Sequence, residues 1–242
     1  FNRECRVHEL LGDGHPNLVG HVASGKYCIA FDRLEGVDLT TRLENEGAFT
    51  PVEALELAAQ CCDALQVMRG HNLVHRDLKT DNLVLIKGED HRLILKVIDC
   101  GHAIETEDSG MGHDRMIVGT PAYMSPEQTQ GEILDERSDL YALGCVFYEM
   151  LTGTALHNTH SVDEAAYMMR RDSTNLPNDP LLAKVDDRVR RLLEEMVKYD
   201  RNERPASAEA LAAKIRGLIA ELKQQAPLTV DYVAPEASAA TR

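Results

Sequence analysis

The nine residues Val74-His75-Arg76-Asp77-Leu78-Lys79-Thr80-Asp81-Asn82 decide how the rest of the chain is read. They hold a carboxylate at Asp77, an amine two residues on at Lys79 and an amide three further on at Asn82. Such a set can take up a proton, neutralise an anion and offer an oxygen to a metal within one short loop. A polar surface loop that carries these types by coincidence is the plain alternative. What decides between them is whether further motifs follow in order.

Upstream of the loop, Thr50-Pro51-Val52-Glu53 combines a capping Thr, a Pro at the first helical position and a Glu that closes a capping box. The helix it opens carries Leu55, Ala58, Cys62, Leu65 and Met68 at helical spacing and is expected to end near Gly70. Downstream, residues 82–86 and 93–98 are β-prone, with a polar turn over 87–91. Nearer the N-terminus, residues 4–11 read as a short helix ended by Gly12-Asp13-Gly14. Residues 18–22 and 27–31 read as short strands on either side of Ser24-Gly25. The second half is helical: 139–151 is apolar almost all round, which marks a buried helix, while 187–199 and 207–222 are amphipathic. Residues 226–242 turn to Ala, Pro, Ser and Thr without periodicity and read as a tail or linker. No internal repeat is visible.

Length and charge narrow the function classes. With 242 residues, 43% of them hydrophobic, the chain can bury a core of its own. Twenty-six Lys and Arg against 40 Asp and Glu leave a net charge of −14, which argues against a nucleic-acid or anionic-membrane binder. No apolar run reaches the roughly 18 residues of a membrane span. No leader-like segment follows Phe1, and the lack of an initiator Met is read as the sign of a longer protein. The six cysteines, Cys5, Cys28, Cys61, Cys62, Cys100 and Cys145, are scattered and mostly in apolar segments, so they are expected to be free, largely buried thiols in a reducing cytoplasm.

Four more motifs follow the loop in order. Seventeen residues beyond Asn82, a β-prone run ends in Asp99-Cys100-Gly101. Then come Gly119-Thr120-Pro121-Ala122-Tyr123-Met124-Ser125-Pro126-Glu127, Ser138-Asp139-Leu140-Tyr141 at the start of the apolar helix, and Asp200-Arg201-Asn202-Glu203-Arg204-Pro205. Together they resemble the catalytic loop (H-R-D-x-K-x-x-N), the D-F-G motif, the A-P-E end of the activation segment and two structural motifs of protein kinases. The chain resembles a serine/threonine protein kinase of the eukaryotic-like bacterial type over roughly residues 1–222.

The resemblance implies an α+β, two-lobe protein-kinase-like fold. Residues 1–34 would be part of a small lobe with a few antiparallel strands and one helix, 35–225 a mainly helical large lobe, and 226–242 a flexible tail. It implies transfer of the γ-phosphate of ATP, with Mg2+ (or Mn2+), to Ser or Thr hydroxyls of protein substrates. Asp77 would orient the acceptor, Lys79 stabilise the transferring charge, and Asn82 and Asp99 hold the metal. Asp139 would bond the backbone of the catalytic loop. Glu127 would pair with Arg204, and the Thr120 hydroxyl would bond Asp77 and Lys79. Arg76 would meet a phosphate on the activation segment, with Thr106 and Ser109 as candidate phosphosites. On the nucleotide side, Phe31 would be the gatekeeper, Asp32, Arg33 and Leu34 the hinge, and Val84 the adenine floor. Asp38 would contact ribose, with a plain helix cap as the alternative reading. Implied partners are the protein substrate and a second kinase copy. Neither nucleic acid nor a membrane span is implied in this chain, and any membrane tether would lie outside it.

Two departures bear on activity. No Gly-rich loop with its strand Lys occurs. In the family's register Glu4 is the small-lobe helix Glu that pairs with that Lys, so about 50–70 further residues are expected upstream. As given, the chain is expected to bind ATP poorly. Lys26 cannot substitute, because it lies in a turn between strands. In addition, Cys100 stands where the family has Phe, between His75 and a position in the small-lobe helix occupied by His8. Losing that ring is expected to weaken the link between helix and metal site by a few kcal/mol. A redox role for Cys100 stands against a simple buried thiol. His71, His91, His157 and His160 are expected to be ordinary surface or loop residues. The rival functions are a pseudokinase or binding scaffold, favoured by the missing Lys and by Cys100, and a small-molecule phosphotransferase, disfavoured by Ser125-Pro126-Glu127 and its Arg partner.

Overall fold

The structure, a computed structural model, describes residues 2–12, 14–105 and 117–225. Thr106, Ser109, Asp13 and the 226–242 tail lie outside the described residues. Helix α1 (Asn2–Leu11) leads to an antiparallel pair, β1 (His21–Ser24) and β2 (Ile29–Phe31), with an irregularity between His21 and Ala23. The strand expected at 18–22 starts later than its sequence suggests. Residues 17–19 are already pinned elsewhere: the Asn17 side-chain amide donates to Leu95 O (2.9 Å) and Gln60 Oε1 (3.0 Å). Leu18 then makes an isolated parallel bridge to Val97.

Strand β3 (Gly36–Asp38), helix α2 (Leu39–Glu46) and helix α3 (Pro51–Gly70) follow, then β4 (Leu73–Val74), β5 (Leu83–Lys87) and β6 (Leu93–Val97). β3, β5 and β6 form one antiparallel sheet with Asp38 opposite Val84 and Val84 opposite Lys96. β3 is not legible in the sequence. Its three residues are too few to show alternation, and what qualifies Gly36 is the near backbone: a Cβ there would lie 2.2 Å from Leu85 O. β4 pairs with β7 (Ile104–Glu105), bringing the end of the Asp99 turn back to the start of the catalytic loop.

The remaining helices are α4 (Pro126–Thr129), α5 (Glu136–Thr152), α6 (Val162–Asn175), α7 (Asp187–Met196) and α8 (Ala208–Gln225). The capping box that opens α3 is present: Glu53 N–H donates to Thr50 Oγ1 and Thr50 N–H to Glu53 Oε2. α3 packs against α8, α5 and β6 at once. That is why it buries Leu57, Cys61 and Ala64 in addition to the stripe from Leu55 to Met68. α5 is the central helix, buried from Ser138 through Tyr148 and ended by Gly153 at φ 76°, a left-handed cap that suits glycine. Replacing a fully buried Leu140 or Leu143 with Ala should cost about 2–5 kcal/mol. Among the described residues no helix is long and apolar enough to cross a membrane.

Candidate active site

The residues of the 74–82 loop converge because three buried elements hold their backbone. β4 delivers the chain to His75, and the first turn of α5 presents Asp139 beneath it. His75 N–H donates to Asp139 Oδ2 (2.8 Å) and Arg76 N–H to Oδ1 (3.0 Å). Arg76 adopts φ 71°, a conformation that costs a non-glycine residue about 1–3 kcal/mol and persists only when its surroundings fix it. Gln128 adds a third restraint, its Nε2 donating to Arg76 O (2.8 Å). Burial pushes the Asp139 carboxyl up, and His75 with the two amides opposes this only in part.

Asp77 is the centre of a compact polar cluster. Thr120 Oγ1 donates to Asp77 Oδ1 (2.8 Å), and Lys79 Nζ donates to Thr120 Oγ1 (3.1 Å) while lying 3.4 Å from Asp77 Oδ2. The 3-10 turn Thr80–Asn82 folds Asn82 back, so that its Nδ2 donates to Asp77 O (2.8 Å). With Nδ2 engaged, the amide oxygen is the part of Asn82 left to meet a metal. Ile98 N–H donates to Asn82 O (2.9 Å), which sets Asp99, at φ 58°, beside Asn82. Thr120 reaches Asp77 because its loop presses on Arg76. Gly119 has φ 123°, and a Cβ there would lie 2.8 Å from Arg76 O.

Asp99 opens into a cleft of about 780 Å³ whose walls include Glu4, Phe31, Asp32, Leu34, Asp38 and Val84. Glu4 and Asp99 both come close to Gly101. A Cβ on Gly101 would lie 3.5 Å from Glu4 Oε1 and 3.0 Å from Asp99 Oδ1. Asp38 lines the cleft, but both its oxygens hold Thr41, through the amide (2.8 Å) and the hydroxyl (2.7 Å), so its local role is to cap α2. Arg33 is exposed and does not line the cleft. Lys26 sits in the turn between β1 and β2, over the Tyr27 ring.

The oxygen donors suit magnesium. Asp99 and Asn82 offer the carboxylate and amide oxygens that a hard ion takes alongside substrate phosphates. Among the described residues no three His, Cys, Asp or Glu side chains come together as an all-protein metal cage.

The Glu127–Arg204 pair is buried and fully bonded. Arg204 Nη1 and Nη2 donate to Glu127 Oε1 (2.6 Å) and Oε2 (2.8 Å), and Ser138 Oγ donates to Oε1 (2.7 Å). The other guanidinium hydrogens reach Lys198 O, Arg137 O and Tyr199 O. Burial alone would raise the Glu127 carboxyl, but Arg204 and Ser138 outweigh it and hold the group below the usual carboxylate range.

Cys100 is 1% exposed, and burial together with Asp99 pushes its thiol up to about 12, which fits the simple buried thiol rather than a redox group. One expectation needs correction. His157 is not a surface residue. It is buried, with Nε2 2.8 Å from the Tyr141 hydroxyl and its ring stacked on Tyr141. Its loop is covered by α5, which local sequence does not reveal. His8 is buried, its ring edge-on to Phe31 at 4.5 Å, and burial with His21 and His75 pushes it down to about 4 against the pull of Asp99. The Nε2 atoms of His8 and His75 have no hydrogen-bond partner among the described residues. Unforeseen from the sequence are the bond from Gln128 and a run of hydroxyls, Thr40, Thr80 and Tyr123, ending on Glu149. Thr80, Tyr123 and Gln128 stand in or beside recognised motifs, but nothing local signals their partners.

The family model for the protein kinase domain matches residues 1–215. The chain is 32% identical over 237 residues to the serine/threonine-protein kinase pkn3 of Myxococcus xanthus, covering 93% of this chain and 42% of that protein. It is 34% identical over 229 residues to the serine/threonine-protein kinase PknB of Mycobacterium tuberculosis, covering 89% of this chain and 35% of that protein. It thus spans less than half the length of these relatives. A domain-wide family match and identity spread over most of the chain agree with the buried Asp139, Glu127 and Arg204 supports: the chain belongs to the protein kinase family.

Proposed function

We propose that this chain is the kinase domain of a serine/threonine protein kinase that transfers the γ-phosphoryl group of Mg-ATP to protein hydroxyls. Residues 1–34 belong in this reading to the small lobe and 35–225 to the large lobe. The observation that carries it is the Thr120–Asp77–Lys79 cluster, with Asn82 bonded to Asp77 and Asp99 opening into the adjoining cleft. The names of the relatives support Ser and Thr as the acceptors.

Asp77 has the task of orienting the acceptor hydroxyl and taking its proton as the oxygen–phosphorus bond forms and the bond to the leaving diphosphate breaks. Lys79 steadies the negative charge on the group in transit. Asn82 and Asp99 hold the divalent ion, and bound Mg-ATP supplies the transferable group and the charge that neutralises it. All of Glu4, Asp32, Leu34, Asp38 and Val84 line the cleft, where Asp32, Leu34 and Val84 would meet adenine, Asp38 ribose and Glu4 the phosphate side. Little covalent work falls to the protein beyond positioning and electrostatics. The free cysteines, four of them buried, suit a reducing cytoplasmic compartment.

The test is transfer of γ-labelled phosphate by the full-length protein in Mg2+, followed by phosphoamino-acid analysis. Label on Ser or Thr supports the reading. Nucleotide binding without any transfer would establish a pseudokinase scaffold instead.

A further inference from the structure

A file of hydroxyl groups runs beneath the catalytic cluster. Thr40 Oγ1 donates to Thr80 Oγ1 (2.7 Å), Thr80 Oγ1 lies 2.9 Å from the Tyr123 hydroxyl, and Tyr123 donates to Glu149 Oε2 (2.7 Å). Each hydroxyl has one hydrogen to give. An ionised Glu149 only accepts, so the Tyr123 hydrogen is committed to it. Thr80 must then donate to Tyr123, and Thr40 to Thr80. All three hydrogens point the same way and end on a carboxylate, the arrangement in which each bond polarises the next.

The file links four elements that the proposed reaction needs in register. Thr40 lies in the first turn of α2 and lines the nucleotide cleft. Thr80 begins the turn that carries Asn82. Tyr123 ends the turn that follows Thr120, and Glu149 lies on the central helix α5. Nothing in the assigned roles of Asp77, Lys79, Asn82 or Thr120 uses these groups.

We propose that Thr80 and Tyr123 are positioning residues, whose one-way hydroxyl chain holds the Thr120 segment in register with the metal-binding turn. The proposal rests on the kinase reading. Breaking any link breaks the chain, so losses at different links do not add. Keeping a hydroxyl at Thr80 keeps the chain.

The experiment uses the full-length protein with Mg-ATP and myelin basic protein as acceptor. Thr80→Val and Tyr123→Phe should each raise the acceptor KM by about 3–10-fold, the size of one lost net hydrogen bond, with the KM for ATP changed less than about twofold. Thr80→Ser should stay near wild type, and the double variant Thr80→Val/Tyr123→Phe should be no worse than either single one. Multiplying losses, a Thr80→Ser as poor as Thr80→Val, or an unchanged acceptor KM would each overturn the proposal. Should the wild type transfer no phosphate, the kinase reading fails by itself and urea unfolding judges the chain. Thr40→Val and Tyr123→Phe, at groups with no hydrogen bond to each other, should then be non-additive in the wild-type background and additive once Thr80 is Val. Additivity in both backgrounds overturns the chain.

Discussion

Asp139 Oδ1 accepts the amide hydrogen of Arg76 at 3.0 Å and thereby fixes a residue whose φ of 71° is unfavourable for any side chain but glycine. The same carboxylate takes the neighbouring His75 amide, so a single buried charge sets the backbone that presents Asp77. An amide in its place has one accepting oxygen and turns an NH2 towards a second N–H. Asp139→Asn should therefore lose about 1.5–3 kcal/mol of stability and most phosphotransfer activity together. Urea unfolding and a transfer assay on one preparation check this. Full activity with unchanged stability would contradict it.

The Glu127–Arg204 pair should act as an acid-sensitive clamp. Removing one partner, as in Arg204→Ala, strands a buried charge and should cost about 3–5 kcal/mol. The Glu127 carboxyl is held below its ordinary value of 4.5, so its contribution is present above that pH and lost as pH falls through the lower, folded-state value. The stability difference between wild type and Glu127→Gln should accordingly be large at pH 7 and shrink below about pH 4. A difference that stays constant across this range would show that the carboxylate charge is not what holds the clamp.

Thiol accessibility should separate the cysteines into two groups. Cys28 is exposed and Cys5 partly so, whereas Cys61, Cys62, Cys100 and Cys145 are buried. Burial also raises the Cys61, Cys62 and Cys100 thiols, which leaves them little thiolate. In the folded protein, Cys28 should react first with a disulfide reagent, and the four buried thiols only on unfolding. Rapid modification of Cys100 in folded protein would restore a redox role for that thiol.

Much of the site is legible in the amino-acid sequence, for a physical reason. The catalytic loop, Asp99, Thr120, Glu127, Asp139 and Arg204 stand in motifs that can be recognised along the chain, and the partners of Thr120, Glu127 and Asp139 are those the family resemblance implies. Helix α3 is equally plain, because Thr50, Pro51 and Glu53 carry their capping signal locally. The parts that are not legible depend on distant contacts. Strand β3 exists because β5 lies beside it, and β1 starts late because Asn17 is tied to Leu95 and Gln60. His157 is buried against Tyr141, sixteen residues earlier in the chain, and Thr80 gains its meaning from Thr40 and Tyr123, 40 and 43 residues away. Nothing in the local sequence signals such pairings.

The most direct measurement compares wild type with Asp77→Asn in the full-length protein, following both Mg-ATP affinity and phosphate transfer to Ser and Thr. Asp77 does not line the cleft, and its backbone is held by Asn82 and His75. Nucleotide affinity should therefore stay within about twofold, while transfer falls by about 10²–10⁴-fold, the contribution of a positioned general base. Transfer at the wild-type rate by Asp77→Asn would contradict the assignment of this loop as the site of catalysis.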